Sequence, residues 1–394
     1  MNSLQRYIFS IIKQSKITKN SIQRVNNSYY NNSKRGNMTD VVYLMGAGAS
    51  FGKRSKDDLS HKVEIKYGDT TSVKHIYCAN ILEGMPLVIE IPRRILYICD
   101  LIRTTDCSPD ISTTINSKTI VEDTKTQLIK DFKWLYNGAI KHATIDTFAK
   151  KLYLTGRIEE YNKVKTLLSI YFIIEQTINK PDSRYDTFLA NVLTPNLEIP
   201  ERIKILTWNY DSQFDIAFNE YKNQISTPRD IGCYSLHDND LTTTPSIFKV
   251  NGTASFKNWE SLANIKTKDN KLNKATLDKI IEAYKNNNTL LSFAWETSKL
   301  SGENFAIKTI IENIKYAKTL VVIGYTFPFF NRYVDKALIS SMDFLRKIYI
   351  QDPKANEIIQ NIDAVLGIQH KPPYEPTQII PITNCDQFYL PPEL

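Results

Sequence analysis

Small, amide, hydroxyl and acidic residues recur directly after short apolar runs in this sequence. The stretches are Gly46–Ser50, Trp208–Asp211, Asn251–Thr253, Gly324–Phe327 and Gln351–Asp352. Residues of these types can exchange hydrogen bonds with a ligand or let it approach the backbone closely. If the apolar runs are parallel strands, these stretches meet at one edge of a sheet, where α/β proteins bind ligands. The pattern therefore favours a nucleotide-type pocket.

The first of these stretches is a glycine turn, Gly46-Ala47-Gly48-Ala49-Ser50, after the apolar run 41–45. That run lacks polar alternation, which is typical of a strand covered on both faces. The two glycines allow close approach, and free N–H groups of such a turn can hold a phosphate. The alternative is a tight turn without a ligand, since Phe51 stands where a GxGxxG fingerprint needs its third glycine.

The elements that must position these stretches follow one repeated order: an apolar strand, a polar turn and a helix. The strand-like runs are 41–45, 203–207, 246–250, 320–323 and 347–350. This alternation predicts an α/β, Rossmann-like, doubly wound parallel sheet. A further edge strand is predicted at 386–389, and short strands such as 73–77 are predicted inside a polar insertion.

Helical spacing dominates the middle of the chain, where helices are predicted at 91–103, 119–137, 143–154, 158–179 and 183–193. We therefore predict three parts. Residues 1–39 form a basic, disordered arm, residues 40–89 and 200–394 form the Rossmann-like domain, and residues 90–199 form an inserted helical lobe.

The net charge of +8 is concentrated in the first 39 residues, which hold seven basic residues and no acid. The rest of the chain is nearly neutral, so bulk charge gives no support for a nucleic-acid partner. The arm has three interpretations: a disordered basic segment, an untranslated extension upstream of Met38, or a targeting peptide. No apolar run reaches the ~18 residues of a membrane span.

The five cysteines form no CxxC pair, and the five histidines lack metal-ligand spacing. We therefore expect no disulfide framework, no zinc and no other metal site, and a cytoplasmic location.

The ordered set Gly46–Ser50, Gly84-Met85-Pro86, Thr207–Asp211 and Gly324–Phe327 resembles sirtuins. It is most similar to the divergent bacterial sirtuin-like proteins of anti-phage defence. The resemblance covers roughly residues 40–55, 81–95 and 200–355, and the helical lobe matches by position only. It implies an NAD-binding protein.

The resemblance also implies roles for individual residues. In that family the glycine turn holds the NAD diphosphate, which assigns Gly46, Ala47, Gly48, Ala49 and Ser50. The family's turn near the nicotinamide corresponds to Gly84, Met85 and Pro86. The later ribose-binding motif corresponds to Gly324, Tyr325, Thr326 and Phe327. Asp352, just past a strand end, is placed to accept hydrogen bonds from the adenosine ribose.

Catalysis would fall to the polar residues of the second and third strand ends. Asn209 stands at the position of the family's catalytic asparagine, where an amide can hold a ribose hydroxyl and a water. Asp211 could stabilise a developing cation or cap the following helix. Trp208 could stack near the ligand or belong to the core. Asn251 is the second polar catalytic candidate.

Two departures from the family change the expected activity. The chain lacks the four-cysteine zinc ribbon of sirtuin deacylases, so protein deacylation is disfavoured. Asn251 occupies the position of the catalytic histidine, and an amide cannot take a proton near neutral pH. His142 or His237 could supply a base from another segment, but a surface or lobe histidine is the favoured interpretation of each.

The leading hypothesis is hydrolysis of NAD to ADP-ribose and nicotinamide in anti-phage defence, with a homo-oligomer or a defence-system protein as partner. The alternative is a non-catalytic NAD or ADP-ribose sensor or scaffold. A third candidate, an NAD-dependent deacylase, is weakened by the missing cysteines.

Overall fold

Seven strands of the described residues form the central sheet, and every pair of neighbours among them is parallel. The computed structural model describes residues 39–52, 82–106, 116–221, 233–235, 245–257, 270–286, 288–296, 305–366 and 377–394. The strands of the sheet are β1 (Val41–Met45), β2 (Ile203–Thr207), β3 (Cys233–Ser235), β4 (Ile247–Lys249), β7 (Thr319–Ile323), β8 (Lys347–Gln351) and β9 (Gln378–Ile382). Their spatial order is β3-β4-β2-β1-β7-β8-β9.

Strand β1 lies at the centre of this order, and all five of its residues are buried. It pairs in register with β2 on one side, Val41 opposite Ile203, and with β7 on the other, Val41 opposite Thr319. The chain therefore extends the sheet in opposite directions from β1. In such sheets the crevice for a ligand lies at this switch point, beyond the carboxyl ends of the strands.

Ten helices are described. They are α1 (Ile91–Thr104), α2 (Asn116–Ile140), α3 (Ile145–Leu154), α4 (Ile158–Ile178), α5 (Ser183–Val192), α6 (Gln213–Tyr221), α7 (Lys274–Asn286), α8 (Phe305–Ile314), α9 (Arg332–Ser340) and α10 (Ala355–Leu366). Two further strands, β5 (Gly252–Phe256) and β6 (Thr289–Leu291), pair antiparallel in a separate sheet.

Alternate residues of β1 enter two different cores, as expected for a strand with both faces covered. Val42 and Leu44 pack in the core that contains residues of α8, α9 and α10. Tyr43 packs on the other face with residues of α5 and α6, and its ring makes an edge contact with Phe188 at 5.0 Å. Helices on both faces make the fold Rossmann-like, which confirms the predicted α/β class.

A third core joins helices α1–α4 to α7 and to the small β5–β6 sheet. It includes a fully buried ion pair, in which Arg94 Nη2 lies 2.7 Å from Glu175 Oε2. Packing thus groups the elements differently from the predicted boundaries. Helix α5 packs on the main sheet, whereas β5, α7 and β6 pack with the helices of the lobe.

Several local expectations differ from the structure. The edge strand is β9, and residues 386–389 form no strand, because the Gln351 side chain binds the carbonyls of Asn384 and Gln387 and the Tyr389 amide. The sequence pattern also missed β3, β5, β6 and α10. The arm and the strands predicted near 73–77 lie outside the described residues. Among the helices described, none combines the length and apolar character needed to cross a bilayer.

Candidate functional site

The carboxyl ends of β1 and β7 touch through their glycines. A Cβ on Gly324 would lie 2.4 Å from Gly48 Cα, and Gly324 has a φ of +57°. The Gly48 amide donates to Gly324 O at 2.9 Å, and the Gly46 amide donates to Ile323 O at 3.0 Å. These glycines are therefore required by backbone packing between the two turns. Their two amides already donate to carbonyl oxygens at the end of β7, which leaves other N–H groups of the turn to face a ligand.

Ala47 is the exposed residue of the glycine turn, which forms a short 3-10 helix over Ala47–Ser50. Its backbone amide has no acceptor among the described residues. A ligand oxygen in the crevice could accept from this N–H group.

A second glycine junction fixes the other end of this turn. Gly84 has a φ of +77°, and a Cβ there would lie 2.3 Å from Ser50 O. The Met85 amide donates to that same carbonyl. Met85 and Pro86 are buried. The Gly84-Met85-Pro86 segment therefore lies directly beside the glycine turn, although the two are far apart in sequence.

Ser50 lies at the centre of a buried network that joins three strand-end residues. Its hydroxyl donates to Asp211 Oδ1 at 3.1 Å and receives a hydrogen bond from Asn209 Nδ2 at 3.1 Å. The Tyr185 hydroxyl lies 2.9 Å from the same oxygen. Asn209 Nδ2 also donates to Gly46 O at 2.9 Å. The predicted diphosphate turn and the predicted catalytic asparagine are thus physically linked.

Asp211 has the geometry of a helix cap. Its Oδ1 accepts the backbone amide of Gln213, the first residue of α6, at 3.0 Å. Burial raises the pKa of this carboxyl above its usual range. The capping role left open by the sequence is therefore supported by the contacts.

Two amide oxygens at these strand ends lack a hydrogen-bond donor among the described residues. The hydrogen bonds of Asn209 use its two nitrogens and leave its Oδ1 without a donor. Asn251 is only 5 % exposed; its Nδ2 donates to Trp208 O at 3.1 Å, while its buried Oδ1 has no partner. Buried polar atoms normally have partners, so these oxygens can accept from a ligand or a water.

Ser292 adds a third polar atom next to Asn251. Its amide donates to Asn251 O at 2.9 Å, and its buried hydroxyl has no partner among the described residues. The residue follows β6, which the sequence pattern did not predict, so it was missed as a site residue.

Trp208 and Tyr325 belong to the core, not to an open surface. Their rings stack with centroids 6.0 Å apart and planes at 11°. Both donate to the carboxylate of Asp335 on α9, from Trp208 Nε1 at 3.0 Å and from the Tyr325 hydroxyl at 2.8 Å. This cluster fixes the ends of β2 and β7 relative to each other.

Asp335 makes the stability of the protein depend on pH. Burial raises the pKa of its carboxyl from 3.8 to about 8. Between these values the folded protein binds a proton that the unfolded chain has released, so stability must fall as pH rises. We expect the unfolding free energy of the wild type, relative to Asp335→Asn, to fall by up to about 1.4 kcal/mol per pH unit.

Urea denaturation at pH 5 and pH 8 measures this difference. Asp386→Asn, an exposed aspartate of the tail, is the matched control and is expected to follow the wild type. Equal pH dependence in the wild type and Asp335→Asn would contradict the assignment.

Arg184 connects the glycine turn to two other segments, and no sequence pattern pointed to this residue. The buried guanidinium donates to Gly48 O at 3.0 Å and Ala49 O at 3.2 Å. It also pairs with Asp182 and donates to Cys385 O at 3.2 Å. The guanidinium of Arg184 is therefore fully engaged in structural contacts. It holds the carbonyl side of the glycine turn in place.

The remaining predicted residues lie along the same edge. Thr326 is exposed, and Phe327 is buried with a φ of +53°, a strained conformation for a residue with a side chain. Asp352 is half-buried, and its Oδ1 accepts the Lys354 amide at 2.8 Å. Its other carboxylate oxygen has no protein donor among the described residues, so it can accept from a ligand.

His142, one of the two candidate histidines, does not join this group. His142 belongs to the helical lobe, where its Nδ1 donates to Gly138 O at 2.7 Å and its ring packs on Phe148. His237 lies outside the described residues. Over the part of the chain that the structure describes, no three His, Cys, Asp or Glu side chains are grouped to hold a metal.

Comparison with known proteins gives no family for this chain. No protein-family model matches it, and no curated protein matches its sequence. The fold and the strand-end site define an α/β protein with a Rossmann-like sheet, and its activity has to be inferred from the site.

Proposed function

We propose that the protein binds NAD at the switch point beside β1 and hydrolyses it to ADP-ribose and nicotinamide. The observation that carries this proposal is the pair of donor-free amide oxygens, Asn209 Oδ1 and Asn251 Oδ1. Ribose hydroxyls and water are hydrogen-bond donors of the kind that these acceptors lack.

The surrounding contacts support the same ligand. The free amide of Ala47 suits a phosphate oxygen, and the free oxygen of Asp352 suits a ribose hydroxyl. The polar groups follow four different strands, as expected for a dinucleotide that extends across the crevice. The resemblance to sirtuin-like defence proteins agrees with this ligand.

In hydrolysis the bond between nicotinamide and ribose breaks, and water adds to the ribose carbon. Asn209 is suited to orient this water and a ribose hydroxyl, because its Nδ2 is held by Gly46 O and Ser50 Oγ. A fixed amide reduces the entropic cost of aligning the reactants. The resemblance further suggests a cytoplasmic defence protein controlled by a homo-oligomer or another defence protein.

A non-catalytic NAD or ADP-ribose sensor is the second candidate, and Asn251 is the observation that favours it. An amide at this position can bind a hydroxyl but cannot accept a proton. Asp211, the nearest acid in the network, caps α6.

Nicotinamide release from NAD by the purified full chain tests the proposal, together with calorimetric titration with ADP-ribose. We expect both binding and release. Binding without release would favour the sensor, if a wide screen of effector nucleotides also fails to trigger release. Failure to bind either compound would contradict both candidates.

A further inference from the structure

A buried hydroxyl that no protein group satisfies lies beside Asn251. Ser292 follows β6, and its backbone amide donates to Asn251 O at 2.9 Å. A Cβ built on Gly252 would lie 3.3 Å from Ser292 Oγ, so the hydroxyl borders the backbone that directly follows Asn251. Ser292 Oγ and Asn251 Oδ1 are both buried, and neither has a hydrogen-bond partner among the described residues. Two such atoms on adjoining segments are available to one ligand group.

Backbone contacts place this pair of atoms at the carboxyl end of β2. Asn251 Nδ2 donates to Trp208 O at 3.1 Å, and Trp208 directly precedes Asn209. The Ala254 amide of β5 donates to Tyr210 O at 2.8 Å, on the other side of Asn209. The pair therefore lies at the same strand end as the donor-free oxygen of Asn209.

The close approach of β5 to β6 is what positions the Ser292 hydroxyl. Gly252 has a φ of +70°, and a Cβ there would lie 2.3 Å from Leu290 O. Only glycine fits this crossing, because a side chain would clash with backbone that cannot yield. The hydroxyl is thus held against Asn251 by the backbone of two strands.

The hydrogen-bonding capacities of the two atoms differ and together fit a carboxamide. Because its Nδ2 is held by Trp208 O, Asn251 presents only an acceptor to a ligand. The Ser292 hydroxyl can donate. A carboxamide carries a donating NH2 group and an accepting carbonyl oxygen on one carbon atom. Its NH2 group suits Asn251 Oδ1, and its carbonyl oxygen suits Ser292 Oγ.

Burial of both atoms selects a ligand group without charge. A carboxylate would lose its hydration there and would face the acceptor Oδ1 of Asn251. Lys249, the basic residue at the end of β4, is already paired with the Asp215 carboxylate, so its charge is balanced. A single ribose hydroxyl could satisfy one of the two atoms, whereas a carboxamide satisfies both.

We propose that Asn251 and Ser292 bind the carboxamide of the nicotinamide ring and thereby select NAD over dinucleotides whose ring lacks an amide. The inference rests on the proposed binding of NAD. It gives Asn251 a role in recognising the leaving group, for which an amide is suited, instead of a role in proton transfer, for which it is not. Asn209 remains the residue that orients the ribose and the water.

The acetylpyridine analogue of NAD tests the contact with Asn251 Oδ1, because it keeps the ring carbonyl but has a methyl group in place of NH2. This analogue leaves the buried oxygen without a donor. We expect its kcat/KM for ADP-ribose formation by the wild type to be at least about 10-fold below that of NAD. Nicotinic acid adenine dinucleotide, which carries a carboxylate, should be at least about 100-fold poorer than NAD. Equal kcat/KM for the three dinucleotides would overturn the inference.

Ser292→Ala tests the donor to the carbonyl oxygen. Because the hydroxyl has no partner among the described residues, the urea midpoint of the variant should equal that of the wild type or exceed it. We expect kcat/KM for NAD to fall about 10-fold. The Kd for ADP-ribose, which lacks the nicotinamide ring, should stay within about twofold. Ser341→Ala is the matched control, since that hydroxyl binds the Leu338 carbonyl after α9, and it should retain the wild-type rate.

The outcomes separate this inference from the proposed hydrolysis. Wild-type release with an equally active Ser292→Ala overturns the carboxamide site and leaves the hydrolase in place. Equal losses of NAD turnover and ADP-ribose binding in Ser292→Ala also overturn it, because the hydroxyl would then contact the ribose or support the fold. If the wild type binds NAD without releasing nicotinamide, the hydrolase fails, and the same ratios are expected between Kd values. Failure of the wild type to bind NAD overturns both.

Discussion

Replacing Asn209 with alanine is expected to lower nicotinamide release about 100-fold or more, because the amide would no longer hold the water and the ribose. The same change removes the donor to Gly46 O and Ser50 Oγ. Losing it should cost about 1–3 kcal/mol of unfolding free energy. Nicotinamide release by the wild type and the variant at saturating NAD measures the effect.

Asn191→Ala is the matched control, since Asn191 is exposed on α5 and bonds only to a carbonyl of its own helix. It should retain wild-type release. Asn209→Asp separates the effect of side-chain size from the effect of hydrogen bonding. It keeps the shape of the side chain but places an acceptor against the Gly46 carbonyl. Full release by Asn209→Ala would remove this residue from the mechanism.

The second large effect is expected at the contact between the β1 and β7 turns. Gly324→Ala would place a Cβ 2.4 Å from backbone atoms of Gly48, where no flexible side chain can yield. We expect a loss of at least about 3 kcal/mol of unfolding free energy, from the strained φ and the clash together. ADP-ribose binding should also fall sharply, because the glycine turn would be displaced.

Gly156→Ala separates the cost of the left-handed backbone from the cost of the clash. Gly156 has a φ of +72°, similar to Gly324, but a Cβ there would meet no atom within 4 Å. It should cost only about 1–2 kcal/mol, the penalty for the left-handed backbone alone, and leave binding unchanged. Urea denaturation of both variants gives the difference. Equal losses of unfolding free energy in the two variants would show that the β1 and β7 turns can move apart without cost.

The parts of the fold that could be predicted are those with a strong local pattern. Strands β1, β2, β7 and β8 are short, buried and rich in β-branched or aliphatic residues, and such runs are readable without tertiary information. Strand β9 contains Pro381 and has exposed residues at the sheet edge, so it lacks that pattern. The tail at 386–389 looked like a strand but is held by one side chain, Gln351.

Site residues at strand ends could be predicted from the sequence, because the topology of a parallel sheet brings those ends together. Asn209, Ser50 and Asp211 do meet, at hydrogen-bonding distance. Residues contributed by other elements could not be predicted from the sequence. Arg184 and Asp335 lie in helices, where nothing in the spacing distinguishes them from ordinary surface charges.

The central position of β1 also determines when the protein can fold during synthesis. Residues 41–45 leave the ribosome before the neighbours that cover them, which are made only at 203–207 and 319–323. At typical translation rates the second neighbour follows on the order of tens of seconds later. During that interval an apolar segment must stay exposed or bound by a chaperone. Expression yield should therefore depend more on chaperone supply than on the stability of the finished fold.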